Sequence, residues 1–259
     1  MGNTYHNLRK LQSAHGGSDP GATFNGRQEK DDALALAMAV GELLKNAGFD
    51  VEYTRTTDVY NTPFEKATIA NNVGGDLFVS FHRNSSAEPN QYNGVQTLVY
   101  NNSGLKSNLA ANINKNLAAV GFQDKDIVER PNLVVLKRTK MPAVLIEAGF
   151  INSEQDNKIF DEKFNKMAQA IADAIIDTLD DAGIRATTMN DYRVQVAAFR
   201  NRQLAYNMAA TLRNQGFVVN ILEEDGLYKV VVGEFSNLDN AVALEQRLRM
   251  MGYNTFIRT

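Results

Sequence analysis

Along the first two-thirds of the chain, stretches whose apolar positions recur at helical spacing alternate with short apolar runs of strand length, the pattern of helices laid against buried strands. Leu36, Val40, Leu43 and Leu44 share one face of a helix predicted from Gln28 to Asn46, and Gly48 follows as its stop. The strand Asp50-Val51-Glu52-Tyr53-Thr54 comes next. A polar helix from Pro63 to Asn72 leads through Gly74-Gly75 into the run Asp76-Leu77-Phe78-Val79-Ser80-Phe81-His82, and Val95 to Tyr100 reads as a further strand. Leu105, Leu109, Ile113 and Leu117 mark a helix stopped at Gly121. Ala143-Val144-Leu145-Ile146-Glu147 is another short apolar run, and Phe164, Met167, Ile171, Ile175 and Leu179 mark a long helix stopped at Gly183. Such alternation predicts an α/β fold for residues 1–183, a mostly parallel sheet flanked by helices.

Ile184 to Asn190 is short, polar and aperiodic, and reads as a linker. Beyond it the chain repeats itself. Tyr192-Arg193-Val194-Gln195-Val196-Ala197-Ala198-Phe199 matches Tyr228-Lys229-Val230-Val231-Val232-Gly233-Glu234-Phe235, and the same offset of 36 pairs Leu212 with Leu248, Gly216 with Gly252 and Ile221 with Ile257. Each half reads strand, helix, Gly stop, strand. Residues 191–259 are therefore predicted as a small α+β domain of βαββαβ, ferredoxin-like type, with an antiparallel sheet and both helices on one face. Strand alternation puts Val194 and Val196 toward the helices and Arg193, Gln195 and Ala197 on the open face.

Composition narrows the possible chemistry. The 259 residues are 44% apolar, enough to bury a full core, and no apolar run reaches the length of a membrane span. The start, Met1 to His6, lacks the basic and apolar regions of a secretory leader, so either the chain acts without Sec export or a leader has been trimmed. A net charge of -3 gives no electrostatic footprint for nucleic acid. With no Cys, disulfides and thiolate metal sites are excluded, and any zinc must be held by nitrogen and oxygen.

Only three His are present, and two stand where chemistry is expected. His82 and Glu147 end apolar runs, and His15 opens the turn His15-Gly16-Gly17-Ser18-Asp19-Pro20-Gly21. Open α/β sheets place their chemistry at the carboxyl ends of strands, so three neighbouring parallel strands would bring these groups to one crevice. Glu29 lies near the His15 turn at a helix start, where an acid also serves as a dipole or capping residue. Spacing alone leaves both readings open. Glu147 follows three apolar residues, so desolvation would raise its pKa toward the range useful for proton transfer; a salt bridge to Lys140 is the plainer alternative. Asp19-Pro20-Gly21 is by itself a turn, and His6 sits in a terminus expected to fray.

Four motifs in order, His15 to Ala22, Glu29-Lys30-Asp31, Asp76 to Asn84 and Thr139 to Phe150, resemble the zinc-dependent N-acetylmuramoyl-L-alanine amidases of the type 3 family over about residues 7 to 182. The resemblance implies that His15, Glu29 and His82 bind zinc and that Glu147 is the catalytic acid/base. It implies hydrolysis of the amide between the lactyl group of N-acetylmuramic acid and L-alanine of the peptidoglycan stem peptide. Arg83 and Asn84 then become candidate substrate contacts, Arg83 either reaching a stem-peptide carboxylate or standing as a solvated rim charge. Two departures stand out. Where the family usually has an apolar first strand ending Asp-Ala-Gly, this chain has Leu11-Gln12-Ser13-Ala14, and position 66 is Lys where Arg is frequent.

Residues from Asp191 to Thr259 resemble the SPOR domain, which implies binding of glycan strands stripped of stem peptides, with Arg193 and Gln195 as candidate contacts. An RNA-binding module of the same fold is disfavoured, because eight basic residues face seven acids over this stretch. Peptidoglycan is thus the implied partner of both halves, with no nucleic acid and no membrane span. The rivals are a catalytically silent wall-binding protein and a zinc peptidase cutting within the stem. A leaderless amidase of this kind looks like a phage-type endolysin or a mother-cell autolysin of a spore former, and a trimmed exported enzyme is the third setting.

Overall fold

Short apolar runs bounded by turn residues pair into a sheet once helices with one apolar face cover them, and the first unit of the chain is built that way. The computed structural model describes residues 8–73, 75–184, 192–235 and 238–258. His6, the first residue of the expected N-terminal strand and positions 185–190 of the expected linker lie outside them. The chain divides into two compact units.

In order, the first unit comprises β1 (Leu8–Ser13), a small hairpin of β2 (Thr23–Phe24) and β3 (Arg27–Gln28), α1 (Glu29–Asn46), β4 (Asp50–Tyr53), α2 (Pro63–Val73), β5 (Leu77–Asn84) and β6 (Val95–Val99). It continues with α3 (Leu105–Val120), β7 (Asp124–Glu129), α4 (Val134–Arg138), β8 (Ala143–Phe150), α5 (Glu154–Glu162) and α6 (Phe164–Asp181). The strands form a six-stranded sheet in the order β4-β1-β5-β8-β6-β7, parallel except where β6 meets β8. The expected mostly parallel sheet is therefore found. β8 runs three residues past Glu147, to Phe150, so the carboxylate stands within the strand rather than at its end.

Register decides which side chains share a face. Phe78 pairs with Ala143, Ser80 with Leu145 and His82 with Glu147, so His82 and Glu147 project from the same side as Phe78 and Leu145. That side packs on α2 and α4 through Ala70, Val135 and Leu136. α1 buries Leu36, Val40 and Leu44, while α3 and α6 pack on each other and bury Leu109, Ile113 and Leu117 with Met167, Ile171 and Ile175. The polar first strand lies inside the sheet, between β4 and β5, with Lys10, Gln12 and Ser13 buried. Its polarity has partners: the Ser80 hydroxyl donates to the Gln12 side-chain carbonyl across the β1–β5 pair, and Glu52 opposes Lys10 across β1–β4.

The second unit comprises β9 (Tyr192–Phe199), α7 (Arg202–Asn214), β10 (Val219–Glu224), β11 (Leu227–Phe235), α8 (Leu238–Met250) and β12 (Phe256–Arg258). α7 and α8 begin and end at the predicted offset, and the antiparallel sheet runs β10-β11-β9-β12, as a duplicated βαβ unit requires. Val194, Val196, Val230 and Val232 pack with Ala205, Ala209, Leu212 and Leu248. One expectation is corrected here. Val230 pairs with Ala197 and Val231 with Gln195, so Val196 is an extra residue and β9 bulges. Alternation changes phase at the bulge, and Ala197 and Phe199 turn back toward the helices instead of lying on the open face.

Candidate metal centre and catalytic crevice

β1, β5 and β8 are neighbours, so His15, which follows β1, and His82 and Glu147, which lie toward the carboxyl ends of β5 and β8, meet on one side of the sheet. His15 leaves β1 in the left-handed region, with φ of 53°, and Gly16, Gly17 and Gly21 also take positive φ. At Gly21 the need for glycine is spatial too: a Cβ there would stand 2.5 Å from His15 Cδ2 and 2.6 Å from Glu29 Oε2. The turn is braced from behind by Arg55, which donates to the carbonyls of Ala14 and Lys30 at 2.8 Å each.

Glu29 opens α1 and is 4% exposed. Its Oε1 lies 2.8 Å from His82 Nδ1 and accepts from the Arg83 amide at 3.2 Å. Oε2 lies 3.1 Å from His15 Nε2 and accepts from the Ala22 amide at 2.9 Å. Burial would push this carboxyl up, but the hydrogen bonds from His15 and His82 outweigh it and hold Glu29 far below the usual carboxylate range. One ligand atom from each of His15, Glu29 and His82 lies within 4.8 Å of the others. His15 Nδ1 is 2.8 Å from Asp19 Oδ2, a carboxylate–imidazole contact of the kind that orients a metal-ligating ring. Burial acts against protonation of His15, yet Glu29 and Asp19 prevail and raise its pKa.

Glu147 stands beside His82 in register. Burial pushes its carboxyl up to about 7, assisted by the charge of Glu29 and opposed by His82. Its Oε2 is sealed from solvent without a hydrogen-bond partner, and no salt bridge to Lys140 is present among the described residues. A cleft of about 240 Å³ adjoins the two imidazoles, walled by Leu133, Val135 and Leu145 and edged by Asn61, Asn132 and Lys66.

The family model for N-acetylmuramoyl-L-alanine amidase matches residues 11–177, more than half of the chain. This chain belongs to the N-acetylmuramoyl-L-alanine amidase family. The SPOR domain model matches residues 188–259 of this amidase. The chain is 34% identical over 222 residues to the sporulation-specific N-acetylmuramoyl-L-alanine amidase of Bacillus subtilis (strain 168), covering 83% of this chain and 84% of the relative. Among solved structures, the N-acetylmuramoyl-L-alanine amidase from Clostridium difficile 630 is similar with a TM-score of 0.63 at 32% identity, over 69% of this chain and 98% of that one. The catalytic domain of CwlV, an N-acetylmuramoyl-L-alanine amidase from Bacillus (Paenibacillus) polymyxa var. colistinus, gives 0.61 at 33% identity, over 67% and 98%. The expected fold class, family and enzyme class are thereby borne out.

Not every predicted residue lies at the crevice. Arg83 points the other way: it is 2% exposed, and its guanidinium meets Asp32 Oδ2 at 2.5 Å and Asn157 Oδ1 at 2.7 Å beneath the Phe160 ring. The reading of Arg83 as a contact for a stem-peptide carboxylate is corrected accordingly; it is a structural cation. Asn84 is partly buried, and its side chain accepts from the Ser85 amide. In the second unit, Arg193 pairs with Glu234, and Gln195 is 7% exposed with Arg258 Nη1 at 3.5 Å from its carbonyl. Asp19, Arg55 and Lys66 are contributors that the sequence reading did not assign. Asp19 lay within a quoted motif but read as a turn, and Lys66 was visible only as a departure from Arg.

Proposed function

We propose that this amidase hydrolyses the bond between the lactyl carbonyl of N-acetylmuramic acid and L-alanine of the stem peptide, with His15, Glu29 and His82 holding one zinc ion and Glu147 as the catalytic acid/base. The observation that carries the reading is the pairing of His82 with Glu147, next to a two-imidazole, one-carboxylate donor set whose atoms lie within 4.8 Å. That donor set fits zinc in a chain without Cys, and it leaves a coordination position for substrate or water. Zinc held there supplies Lewis-acid chemistry, acidifying a water and polarising the scissile carbonyl. Asp19 fixes the His15 ring, and the Ala22 and Arg83 amides fix Glu29. Glu147, partly buried beside His82 and with a pKa of about 7, takes a proton from the attacking water and returns it to the leaving amine.

Residues 184–190 join this catalytic domain, 1–183, to a glycan-binding domain, 191–259, whose open face with Arg193 and Gln195 receives glycan strands stripped of stem peptides. The SPOR model match supports that assignment. The enzyme acts on the cell wall, and its likeness to a sporulation-specific amidase supports the setting of a spore former. No helix among the described residues is long and apolar enough to cross a membrane. The test is release of stem peptides from purified sacculi by wild type and E147Q, with zinc content measured in both. Loss of release in a zinc-loaded E147Q supports the roles. A zinc-loaded wild type that releases no peptide refutes the activity, and peptides lacking L-alanine would identify a cut within the stem.

A further inference from the structure

Lys66 belongs to the crevice but has no place in the chemistry above. It sits in the first turn of α2, whose start is fixed by a reciprocal cap: the Thr62 amide donates to Glu65 Oε2 at 2.7 Å, and the Glu65 amide donates to Thr62 Oγ1 at 3.2 Å. Pro63 occupies the first helical position. Lys66 so placed is 5% exposed and lines the cleft beside His15 and His82. It makes one hydrogen bond, to the His15 carbonyl at 3.2 Å, although an ammonium carries three donors. The carboxylates nearby are engaged elsewhere: Asp19 with His15 and the Gly21 amide, Glu29 with both imidazoles and two amides. A buried cation with unspent donors, lining a cleft whose one carboxylate, Asp19, is already held by His15 and the Gly21 amide, is completed by an anion.

Resting on the amidase reading, we propose that Lys66 is the specificity-determining residue of this cleft, pairing with the free α-carboxylate of the stem residue that follows L-alanine, a glutamate joined through its side-chain carboxyl. Leu133, Val135 and Leu145 then take the apolar parts of the peptide, and Asn61 and Asn132 its amides. Among the described residues lining the cleft, Lys66 is the one Lys or Arg, and Arg83 is committed to Asp32. The enzyme therefore selects walls in which that glutamate is unamidated.

The test offers full-length, zinc-loaded wild type, K66Q and K66R two muramoyl dipeptides, both capped at the glutamate side-chain carboxyl as the methylamide, that differ only in carrying the α-carboxylate or the α-carboxamide. Wild type should prefer the carboxylate by ~10–100-fold in kcat/KM, the size expected of one charge-assisted contact, and the preference should lie in KM. K66R should keep most of it, and K66Q should bring the ratio to within about twofold of unity. A wild type that cuts both alike overturns the proposal without needing any variant. So does a K66Q that slows both equally or loses zinc, since Lys66 would then act only by holding the His15 turn. As a readout independent of turnover, the alanyl-glutamate γ-methylamide and its α-carboxamide are titrated into E147Q and E147Q/K66Q by NMR; only binding of the α-carboxylate form should fall. If wild type cuts neither dipeptide but binds the carboxylate through Lys66, the amidase reading fails and this one stands; equal cleavage of both gives the reverse.

Discussion

Glu147 sets the activity of this protein against its stability. A carboxyl pushed to about 7 by burial binds its proton more tightly in the folded chain than in the unfolded one, where the ordinary value is 4.5. Between those values the folded state holds more protons, so metal-free wild type loses stability as pH rises through that window, by roughly 2–4 kcal/mol in all. E147Q lacks the ionisation. Urea denaturation of metal-free wild type and E147Q at pH 4.5 and pH 8 should show the variant gaining on wild type by that amount at the higher pH. A pH-independent difference would mean that the carboxylate is not desolvated. Added zinc, a cation beside the carboxylate, favours its ionisation and should shrink the loss. Gly21 shows the same tension in steric form, because the turn presents His15 and Glu29 only where no side chain separates them.

At the level of elements, the buried ion network around Arg83 welds α1, β5, β8 and α5 beneath the crevice. Arg83 reaches Asp32 on α1, Asn157 on α5 and the carbonyls of Gly149 and Phe150 at 3.3 Å, while Arg27 also holds Asp32 at 2.7 Å. Burial lowers the guanidinium to about 10, which leaves it charged at neutral pH. R83M should cost roughly 3–5 kcal/mol, toward the lower end because Arg27 still neutralises Asp32. A fall in the denaturation midpoint with KM for a muramoyl dipeptide unchanged would mark Arg83 as structural; a raised KM in a stable variant would restore the substrate role. His82-Arg83 illustrates what sequence can and cannot carry. The apolar runs ending in His82 and Glu147 read as strands whose polar ends would share one crevice if they were neighbours, and the register puts the imidazole and the carboxylate on one face. Alternation puts Arg83 on the face opposite His82, but no local pattern announced Asp32, because that partner is remote in the chain. β7, Asp124-Lys125-Asp126-Ile127-Val128-Glu129, went unread because its edge position leaves it mostly polar. α5 buries little beyond Asp156 and Phe160, so its apolar period is faint although Ser153 caps it. In β9 the period-two reading held up to Val196, where one unpaired residue reversed it.

For the whole molecule, the duplication in the second unit matters because it gives residues 192–258 their own core and so a function separable from catalysis. α7 and α8 close one face of the β10-β11-β9-β12 sheet through Leu212 and Leu248. The first unit likewise buries its own sheet between helices, and His15, Glu29 and His82 all come from within it. Catalysis on a small soluble substrate therefore needs only the first unit, whereas work on an insoluble wall depends on how long the enzyme stays there. A tether converts each encounter into repeated ones by raising the local concentration of the catalytic unit, a gain of up to ~10²–10⁴ where both sites engage together. A chain ending at residue 183 should hydrolyse a muramoyl dipeptide with kcat/KM within about twofold of the full chain. On sacculi at submicromolar enzyme it should release stem peptides ~10–100-fold more slowly, and the deficit should close as enzyme concentration rises, because crowding the wall replaces the tether. Prior digestion that leaves glycan strands stripped should widen the gap, since it supplies the second unit with its ligand. Equal rates of truncated and full chains on sacculi at every concentration would show that the second unit contributes no retention, and the open face bearing Arg193 and Gln195 would then serve some partner other than glycan.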